Sequence, residues 1–350
     1  MIDIKSFYPQ ELEEFLLQMG QPKYRAKQLF HRLHSGITSF DEMTDLPKSL
    51  REKLEEQCYI ADVKIVKRLK SNLDETVKYL YELHDGELIE SVLMKYEHGY
   101  TVCISTQVGC RMGCSFCASG LQGLVRNLTA SEMLSQLMAA ERDNGIRVSN
   151  VVMMGMGEPL DNFDNSVRFL RLVSNDDGMN IGLRHISLST SGVVTGINRL
   201  AKENLPITLS VSLHAPNDEL RRSIMPVARR WSVEELMKAC RDYQSVTTRR
   251  ISFEYALMEG VNDSDACASQ LASLTKGMLS HINLIPANPV KENSFKKPDR
   301  KRILHFKTLL EQKGLNATIR RTLGADIDAS CGQLRGKAKE DEENGCLRKN

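Results

Sequence analysis

The chain has 350 residues, of which 41% are hydrophobic and 26% are charged, and its formal net charge is +2. This composition excludes collagen-like, low-complexity and wholly disordered proteins, and the length suffices for a large α/β unit with an appended domain. No apolar run approaches the roughly 20 residues of a membrane-spanning helix, and the first residues lack the basic and apolar parts of a signal peptide. We therefore expect a cytoplasmic protein that does not enter a membrane.

The first 60 residues predict a small helical accessory domain. Leu12, Phe15, Leu16 and Met19 recur at the spacing of one helix face, and two further segments with apolar residues at helical spacing follow. We therefore assign residues 1–60 to this domain.

Residues 61–95 predict a β-hairpin extension. Apolar and polar residues alternate from 77 to 83, and the pair Asp85-Gly86 is typical of a tight turn. On the returning strand, about Leu88 to Lys95, the period of two places Glu90 on the same face as apolar neighbours. A carboxyl group in such surroundings is expected to hold its proton more tightly than a solvated one, so Glu90 is a candidate general base.

A repeated alternation of strands and helices occupies residues 96–335, and a charged tail follows over 336–350. The capping box Thr129-x-x-Glu132 marks the start of one of the helices. This alternation predicts an α/β fold with a parallel sheet, either an open stack or a curved partial barrel. The predicted strands are Val102–Ser105, Val151–Met154, Ile186–Thr190, Ile207–Leu213, Ile251–Leu257 and Ile282–Ile285, with a late run at Ala317–Arg321.

The strongest chemical signal is a cysteine triplet, Cys110-Arg-Met-Gly-Cys114-Ser-Phe-Cys117, after the first of these strands. Three thiolates on one short loop can hold a soft metal ion or an iron–sulfur cluster. A structural zinc site would need a fourth ligand, and none lies close by in sequence. A [4Fe–4S] cluster held by three thiolates would leave one iron open to a ligand. The nine cysteines are odd in number and nothing indicates export, so we do not expect a structural disulfide framework.

Further motifs follow the ends of other predicted strands. In (β/α) barrels the active site is built at the carboxyl ends of the strands, so these motifs predict a ligand site at that edge. Glycines 155 and 157 would let the backbone approach a ligand closely. The motifs are Gly155-Met-Gly157-Glu158-Pro159, Ser189-Thr-Ser191-Gly192, Ser212-Leu213-His214, Asn288-Pro289 and the late segment from Gly324 to Cys331.

Together these motifs resemble the RlmN/Cfr family of radical S-adenosylmethionine (SAM) RNA methyltransferases, and the resemblance covers essentially the whole chain. It implies a partial (β/α)6 TIM-like barrel with a small N-terminal helical domain and a connecting β-hairpin. It also implies a [4Fe–4S] cluster, one per chain, held by Cys110, Cys114 and Cys117, and SAM, two molecules of which are consumed per methylation. The SAM contacts implied by the resemblance are Gly157, Glu158, Ser189, Ser212, Leu213, His214 and Asn288.

The resemblance implies methylation at carbon 2 of a specific adenosine in the peptidyl-transferase centre of 23S rRNA and of the adenosine 3′ to the anticodon in tRNA. The residue matching Cys331 is methylated first, and its methyl group then becomes a radical that adds to the adenine. The residue matching Cys103 afterwards attacks the sulfur and forms a transient disulfide that frees the product. Glu90 matches the family's proposed proton acceptor.

The resemblance also implies the partners, which are 23S rRNA, tRNA and a flavodoxin-type electron donor, and we expect a monomer. Groups of basic residues could form a rim that contacts RNA phosphates. These groups are Arg221, Arg222, Arg229 and Arg230, then Lys291, Lys296, Lys297, Arg300, Lys301 and Arg302, then Arg320, Arg321, Arg335, Lys337 and Lys339, with Lys23, Arg25, Lys27 and Arg32 in the N-terminal domain.

Two alternatives remain open from the sequence. The first is methylation at carbon 8 of the rRNA adenosine, the antibiotic-resistance activity of the Cfr branch. Pro159 favours carbon 2, whereas Cys117-Ala-Ser-Gly120 is closer to the carbon-8 enzymes. The second alternative is a zinc-stabilised RNA-binding protein without enzymatic activity, which would be colourless and free of iron.

Overall fold

The computed structural model describes residues 1–121, 123–287, 295–321, 323–327 and 329. Three of the predicted features, Asn288, Cys331 and the charged tail over 336–350, lie outside the described residues, as do the basic residues Lys291, Arg335, Lys337 and Lys339. In the described part of the chain, no helix combines the length and the apolar character needed to cross a membrane.

Three short helices form the N-terminal region, as the apolar spacing predicts. A parallel pair of two-residue strands, which the sequence did not indicate, joins its two ends. Lys5 is fully buried where this region meets the rest of the protein, and its ammonium group donates to Ala61 O and to Ser135 Oγ, the latter at 2.7 Å. The elements are β1 (Ile2–Asp3), α1 (Pro9–Gln18), α2 (Tyr24–Leu33), α3 (Lys48–Gln57) and β2 (Cys58–Tyr59).

His34 is a buried titratable group at the end of α2. Its ring stacks on Phe30 with 4.1 Å between ring centroids, and neither ring nitrogen has a hydrogen-bond partner among the described residues. Burial lowers the pKa of His34 from 6.5 to about 3. The imidazole is therefore neutral in the folded protein at physiological pH.

This lowered pKa predicts a loss of stability in mild acid. Since the unfolded chain binds the proton and the folded chain does not, the contribution of His34 is complete above pH 6.5 and falls as the pH drops towards 3. Between pH 7 and pH 5 we expect His34 to reduce the free energy of unfolding by about 2 kcal/mol. Urea unfolding at both pH values checks this: between pH 7 and pH 5, His34→Phe should lose less stability than the parent. An unchanged pH dependence in His34→Phe would contradict the prediction.

The remaining strands pair into one sheet of ten strands in the described part of the chain, in the order β14-β13-β12-β11-β10-β9-β6-β5-β4-β3, and into a separate pair, β7 with β8. Pairing is parallel from β6 to β14 and antiparallel from β3 to β6. The strands are β3 (Lys64–Lys70), β4 (Val77–Glu82), β5 (Leu88–Tyr96), β6 (Gly99–Cys103), β7 (Gln107–Gly109), β8 (Leu124–Asn127), β9 (Val148–Met153), β10 (Ile186–Thr190), β11 (Thr208–Ser212), β12 (Ile251–Leu257), β13 (Ser280–Pro286) and β14 (Ala317–Ile319).

Helices connect the parallel strands, and Thr129 with Glu132 forms the predicted capping box at the start of α5. The parallel part therefore has the α/β alternation that the sequence predicts. The helices are α4 (Ala118–Leu121), α5 (Ala130–Asn144), α6 (Phe163–Val173), α7 (Val194–Glu203), α8 (Asp218–Ile224), α9 (Val233–Thr247), α10 (Asp265–Thr275) and α11 (Arg300–Gln312).

The two faces of the ten-stranded sheet differ in polarity. Paired residues of neighbouring strands lie on the same face, and successive residues alternate between faces. One face carries apolar side chains such as Val102, Leu188 and Phe253, which are fully buried in the core. The other face, which we call the polar face, carries two rows of register partners along its parallel part. These are Ser189, Ser210, Ser252 and His281, and Ser212, Glu254, Asn283 and Thr318.

The structure differs from the prediction in two places that bear on the site. The predicted hairpin is part of a three-stranded antiparallel extension, because β3 pairs with β4 along the outer edge. In addition, the cysteine triplet does not follow β6 directly. The short strand β7 comes between them and pairs with β8, so this strand pair closes the cysteine loop.

Candidate active site

The loop that carries the cysteine triplet is closed at its base by two glycines. The backbone N–H of Cys110 donates to Gly123 O at 2.8 Å. Gly109 has a φ of +74°, and a Cβ at this position would lie 2.0 Å from Gly123 O. Only glycine permits both this backbone conformation and this close approach. The two ends of the loop are thereby fixed to each other.

The triplet loop packs against α8 and the end of β11. The Ser115 N–H donates to Ile224 O at 3.0 Å, and the Phe116 ring meets the His214 ring edge to face at 4.9 Å. Cys114 and Phe116 also contact a small apolar cluster that includes Ala215 and Ile224. The thiols therefore lie at the carboxyl end of the parallel sheet, where the sequence motifs converge.

The three thiols are close enough to influence one another electrostatically. Burial raises the pKa of Cys110 to about 12, with the charges of Glu158 and Cys117 adding to the effect. Burial also raises the pKa of Cys114 well above its usual range, and the neighbouring Cys117 and Cys110 thiols raise it further. Three such thiols become thiolates together when a cationic centre binds them, because the thiolate is the metal-binding form.

The donor set, three cysteine thiols on one short loop, is of the type that binds iron–sulfur clusters. Among the described residues, no three His, Cys, Asp or Glu side chains are arranged as ligands of one metal ion. A cubane cluster holds its thiolates on separate irons, and three cysteines on one loop are the ligand type that such clusters use.

Gly155 and Gly157 have a packing role that the sequence did not reveal. A Cβ on Gly155 would lie 2.6 Å from Ile104 O, and a Cβ on Gly157, whose φ is +102°, would lie 2.6 Å from the Gln107 Cβ. The glycines thus let the loop after β9 approach Ile104, which lies between β6 and β7, and Gln107, the first residue of β7. Their close approach is to other residues of the protein, and contact between Gly157 and SAM remains a prediction.

Glu158 is buried beside the triplet, and both of its carboxylate oxygens already accept hydrogen bonds. Oε2 accepts from the Ser191 N–H at 2.6 Å and Oε1 from the Leu160 N–H at 3.0 Å. Burial raises the pKa of Glu158. The carboxylate therefore ties the loop after β9 to the end of β10, and its predicted contact with SAM would use its remaining lone pairs.

The predicted residues at the ends of β10 and β11 lie together. Ser189 and Ser212 are half-buried on the polar face, and Leu213 is fully buried. The His214 Nδ1 accepts from the Ala256 N–H at 2.9 Å, so the ring proton resides on Nε2. Burial lowers the pKa of His214 to about 3, with a further contribution from the Arg221 charge. His214 is therefore neutral.

Glu90 and Cys103 share the polar face with these residues. Cys103 pairs with Val92 on β5, two positions from Glu90, and with Val152 on β9, which pairs in turn with Ser187. Cys103 is half-buried and Glu90 is 4% exposed. The sheet register thus brings the two residues to one region.

The sequence suggested apolar surroundings for Glu90, but the structure places a charged side chain beside it. The buried ammonium group of Lys78 lies 3.8 Å from the Glu90 carboxylate, and the two side chains are 1% and 5% exposed. An adjacent cation favours an ionised carboxylate. The structure therefore supplies a charge partner that suits the base form of Glu90.

This pair predicts that Glu90→Gln destabilises the protein as well as changing its chemistry. The substitution removes the negative charge beside the buried Lys78 ammonium group, and breaking a buried ion pair typically costs about 3–5 kcal/mol. Urea unfolding of the anaerobic holoprotein measures the change. The double variant Lys78→Met, Glu90→Gln is the matched control and should recover most of the stability. Equal stability of Glu90→Gln and the parent would show that the pair contributes nothing.

Two further residues of the site were missed by the sequence reasoning. The sequence placed Arg221 in a rim that contacts RNA phosphates, and this assignment is wrong because the side chain is fully buried. Burial also lowers the pKa of its guanidinium to about 10. Glu254 is buried on the polar face and accepts hydrogen bonds from Ser252 at 2.9 Å and Asn283 at 2.6 Å. A single carboxylate within the apolar run Ile251–Leu257 was the available signal for Glu254.

Comparison with known proteins establishes the family. A family model described as the N-terminal domain of ribosomal RNA large subunit methyltransferases matches residues 2–60, and the radical SAM superfamily model matches residues 104–269. The chain is 53% identical over 336 residues to a probable dual-specificity RNA methyltransferase RlmN of Alkaliphilus oremlandii, covering 96% of this chain and 98% of that protein. The chain belongs to the RlmN family of radical SAM proteins.

Two further comparisons agree with membership in the RlmN family. A probable dual-specificity RNA methyltransferase RlmN of Lachnospira eligens is 52% identical over 342 residues, covering 97% of this chain and 98% of that protein. The crystal structure of a radical SAM methyltransferase from Sphaerobacter thermophilus superposes with a TM-score of 0.91 at 46% identity, covering 95% of this chain and 99% of that one. The predicted family and fold class are confirmed, and the family implies a [4Fe–4S] cluster and SAM as cofactors.

Proposed function

We propose that this member of the RlmN family transfers a methyl group to carbon 2 of an adenosine in 23S rRNA and of the adenosine 3′ to the anticodon in tRNA, with Cys331 as the methyl carrier. The observation that carries the proposal is the common location of Glu90, Cys103, Ser189 and Ser212 on one sheet face, at whose carboxyl end the cysteine triplet lies. The near full-length identity to proteins named dual-specificity RNA methyltransferases supports the same substrate class.

The chain's own residues divide into two binding sets in this proposal. Cys110, Cys114 and Cys117 hold one [4Fe–4S] cluster per chain. When bound, the cluster supplies the single electron that cleaves SAM to a reactive radical. The residues that bind and orient SAM, two molecules of which are used per methylation, are Gly157, Glu158, Ser189, Ser212, Leu213, His214 and Asn288.

Three residues handle the methyl group and the protons. The Cys331 sulfur accepts a methyl group by displacement, which gives the carbon that is later joined to carbon 2 of the adenine. A radical route is needed because carbon 2 is not nucleophilic. Cys103, as a thiolate, then attacks the Cys331 sulfur. The S–S bond forms as the carbon–sulfur bond breaks, and the electron pair stays with the carbon, which takes up a proton to become the methyl group. Glu90 accepts the proton lost from carbon 2, and the one unpaired electron would return to the bound cluster.

The proposal includes the partners of the enzyme. RNA is the substrate, a flavodoxin-type protein provides the electron, and the enzyme works as a monomer in the cytoplasm. Exposed basic residues, among them Arg229 and Arg230, are available to contact RNA phosphates, and the Arg230 guanidinium lies 4.7 Å from the ring centre of Trp231. An adenosine must leave its base stack to reach such a site.

One experiment tests the reaction and its position. The anaerobic holoenzyme is incubated with reductant, SAM carrying a labelled methyl group, and transcribed 23S rRNA or tRNA, and the nucleosides are then separated by mass spectrometry. We expect labelled 2-methyladenosine from both RNAs. Label only in 8-methyladenosine would assign the chain to the carbon-8 activity. A colourless protein that binds zinc stoichiometrically and no iron would reject the enzyme altogether.

A further inference from the structure

Arg221 is a fully buried cation that the proposed reaction does not use. It lies on α8, and its guanidinium group bonds three backbone carbonyls at the ends of two strands. Nη2 donates to Ser191 O at 2.6 Å and to Ser212 O at 3.3 Å, and Nε donates to Leu213 O at 3.1 Å. Among the described residues, Nη1 has no hydrogen-bond partner.

Burying a guanidinium group is costly unless an anion compensates its charge. Asp218, one turn earlier on α8, forms its ion pair with Arg222 instead, at 3.6 Å. Burial lowers the pKa of the Arg221 guanidinium, and the charges of Cys114 and Asp218 oppose this shift. Carbonyl groups alone supply dipoles but no net charge. A cluster bound by the thiolates of the neighbouring cysteine triplet would supply the negative charge that this cation lacks.

The position of Arg221 relative to the triplet loop is fixed by the backbone. Ile224, three residues later on α8, accepts the hydrogen bond from the Ser115 N–H at 3.0 Å. Ser115 directly follows Cys114, and the Cys114 side chain packs against the apolar cluster that contains Ile224. Residues three apart lie on the same face of a helix, so Arg221 and Ile224 both face the triplet loop.

We propose that Arg221 is the buried counter-charge of the three-thiolate site and that it raises the reduction potential of the cluster held there. This inference rests on the proposed function. Three thiolates give an oxidised [4Fe–4S]2+ site a net charge of −1, and the one electron taken from a low-potential reductant makes it −2. A fixed cation stabilises the more negative state more strongly, which makes the reduction easier. Arg221 is a positioning residue, since it acts on the cluster through charge.

A potentiometric titration of the cluster, followed by the electron paramagnetic resonance signal of its reduced form, tests the inference. In Arg221→Gln and Arg221→Met we expect the ratio of reduced to oxidised cluster at a given solution potential to fall at least tenfold, which is about 59 mV for one electron. Arg221→Lys keeps the charge but loses the forked hydrogen bonds, and its potential should stay near that of the parent. Arg222→Gln is the matched control, because this neighbour is exposed.

The variants separate charge from structure. Equal potentials in the parent, Arg221→Gln and Arg221→Lys would overturn the inference, as would an equal drop in both variants. If the neutral variants do not hold iron, Arg221→Lys decides the question. An unchanged reduction potential in this variant supports the counter-charge, and a tenfold fall in the ratio of reduced to oxidised cluster rejects it. If the parent itself assembles no [4Fe–4S] cluster, the proposed function fails instead, so the two failures are distinguishable.

Discussion

Cys114→Ala is expected to abolish both iron binding and the cleavage of SAM. The Cys114 side chain packs against the apolar cluster beside α8, the charges of the Cys117 and Cys110 thiols act on it, and its loss leaves only two cysteine ligands. The parent, reconstituted anaerobically with iron and sulfide, should be brown and hold about four irons per chain. The variant should retain less than about one iron and form no 5′-deoxyadenosine. Iron analysis and chromatography of the SAM products measure the two effects.

The control for this variant is another buried thiol. Cys267 is 5% exposed at the start of α10 and takes no part in the proposed chemistry. Cys267→Ala should hold as much iron as the parent and cleave SAM at the same rate. Full iron content and normal SAM cleavage in Cys114→Ala would remove the basis of the proposed cluster site.

Cys103→Ala is expected to convert the enzyme into a trap for its own substrate. In the proposed reaction the RNA is joined through carbon to the Cys331 sulfur, and release requires a second sulfur to attack the first. Cys103 is half-buried on the polar face, two register positions from Glu90, and alanine provides no sulfur there. RNA should therefore stay covalently bound, visible as a band of increased mass on a denaturing gel that ribonuclease removes.

Two comparisons make this result specific. The double variant Cys103→Ala, Cys331→Ala should give no covalent RNA, because the methyl carrier is absent. Cys58→Ala, which changes a buried thiol of the N-terminal region, should release methylated RNA normally. Free, fully methylated RNA from Cys103→Ala would show that Cys103 does not resolve the covalent complex.

The parallel sheet could be predicted because each of its strands carries its own signal. The run Ile251–Leu257 matches β12 residue for residue, and Ile186–Thr190 matches β10. Such runs are apolar because both faces of the strand are largely covered, and helical patterns separate them. The convergence of the motifs followed from the same alternation, since the carboxyl ends of parallel strands meet at one edge. The short pairs β1 with β2 and β7 with β8 have too few residues to show a pattern.

The charge contacts could not be predicted, because they depend on register and on helix orientation. Lys78 meets Glu90 only because β4 and β5 pair Leu80 with Glu90 and Lys78 with Val92. A local excess of basic residues around 221–230 likewise does not show which of them face inwards. The spacing of three between Arg221 and Ile224 was the available signal, since it places them on one helix face.

The pairing of β5 with β6 has a consequence for how the nucleotide must enter. Glu90 and Cys103 are diagonal neighbours across two hydrogen-bonded strands, a relation that holds their Cα atoms about 7–8 Å apart. Their backbones cannot move apart without breaking hydrogen bonds between β5 and β6. Under the proposed roles, the bound adenine must place its carbon-2 hydrogen near Glu90. In the same orientation, the Cys331 sulfur to which it is joined must lie near Cys103. A nucleobase that meets only one of these two requirements would remain covalently bound and would not be released. Selectivity for the nucleobase would then arise at product release as well as at binding.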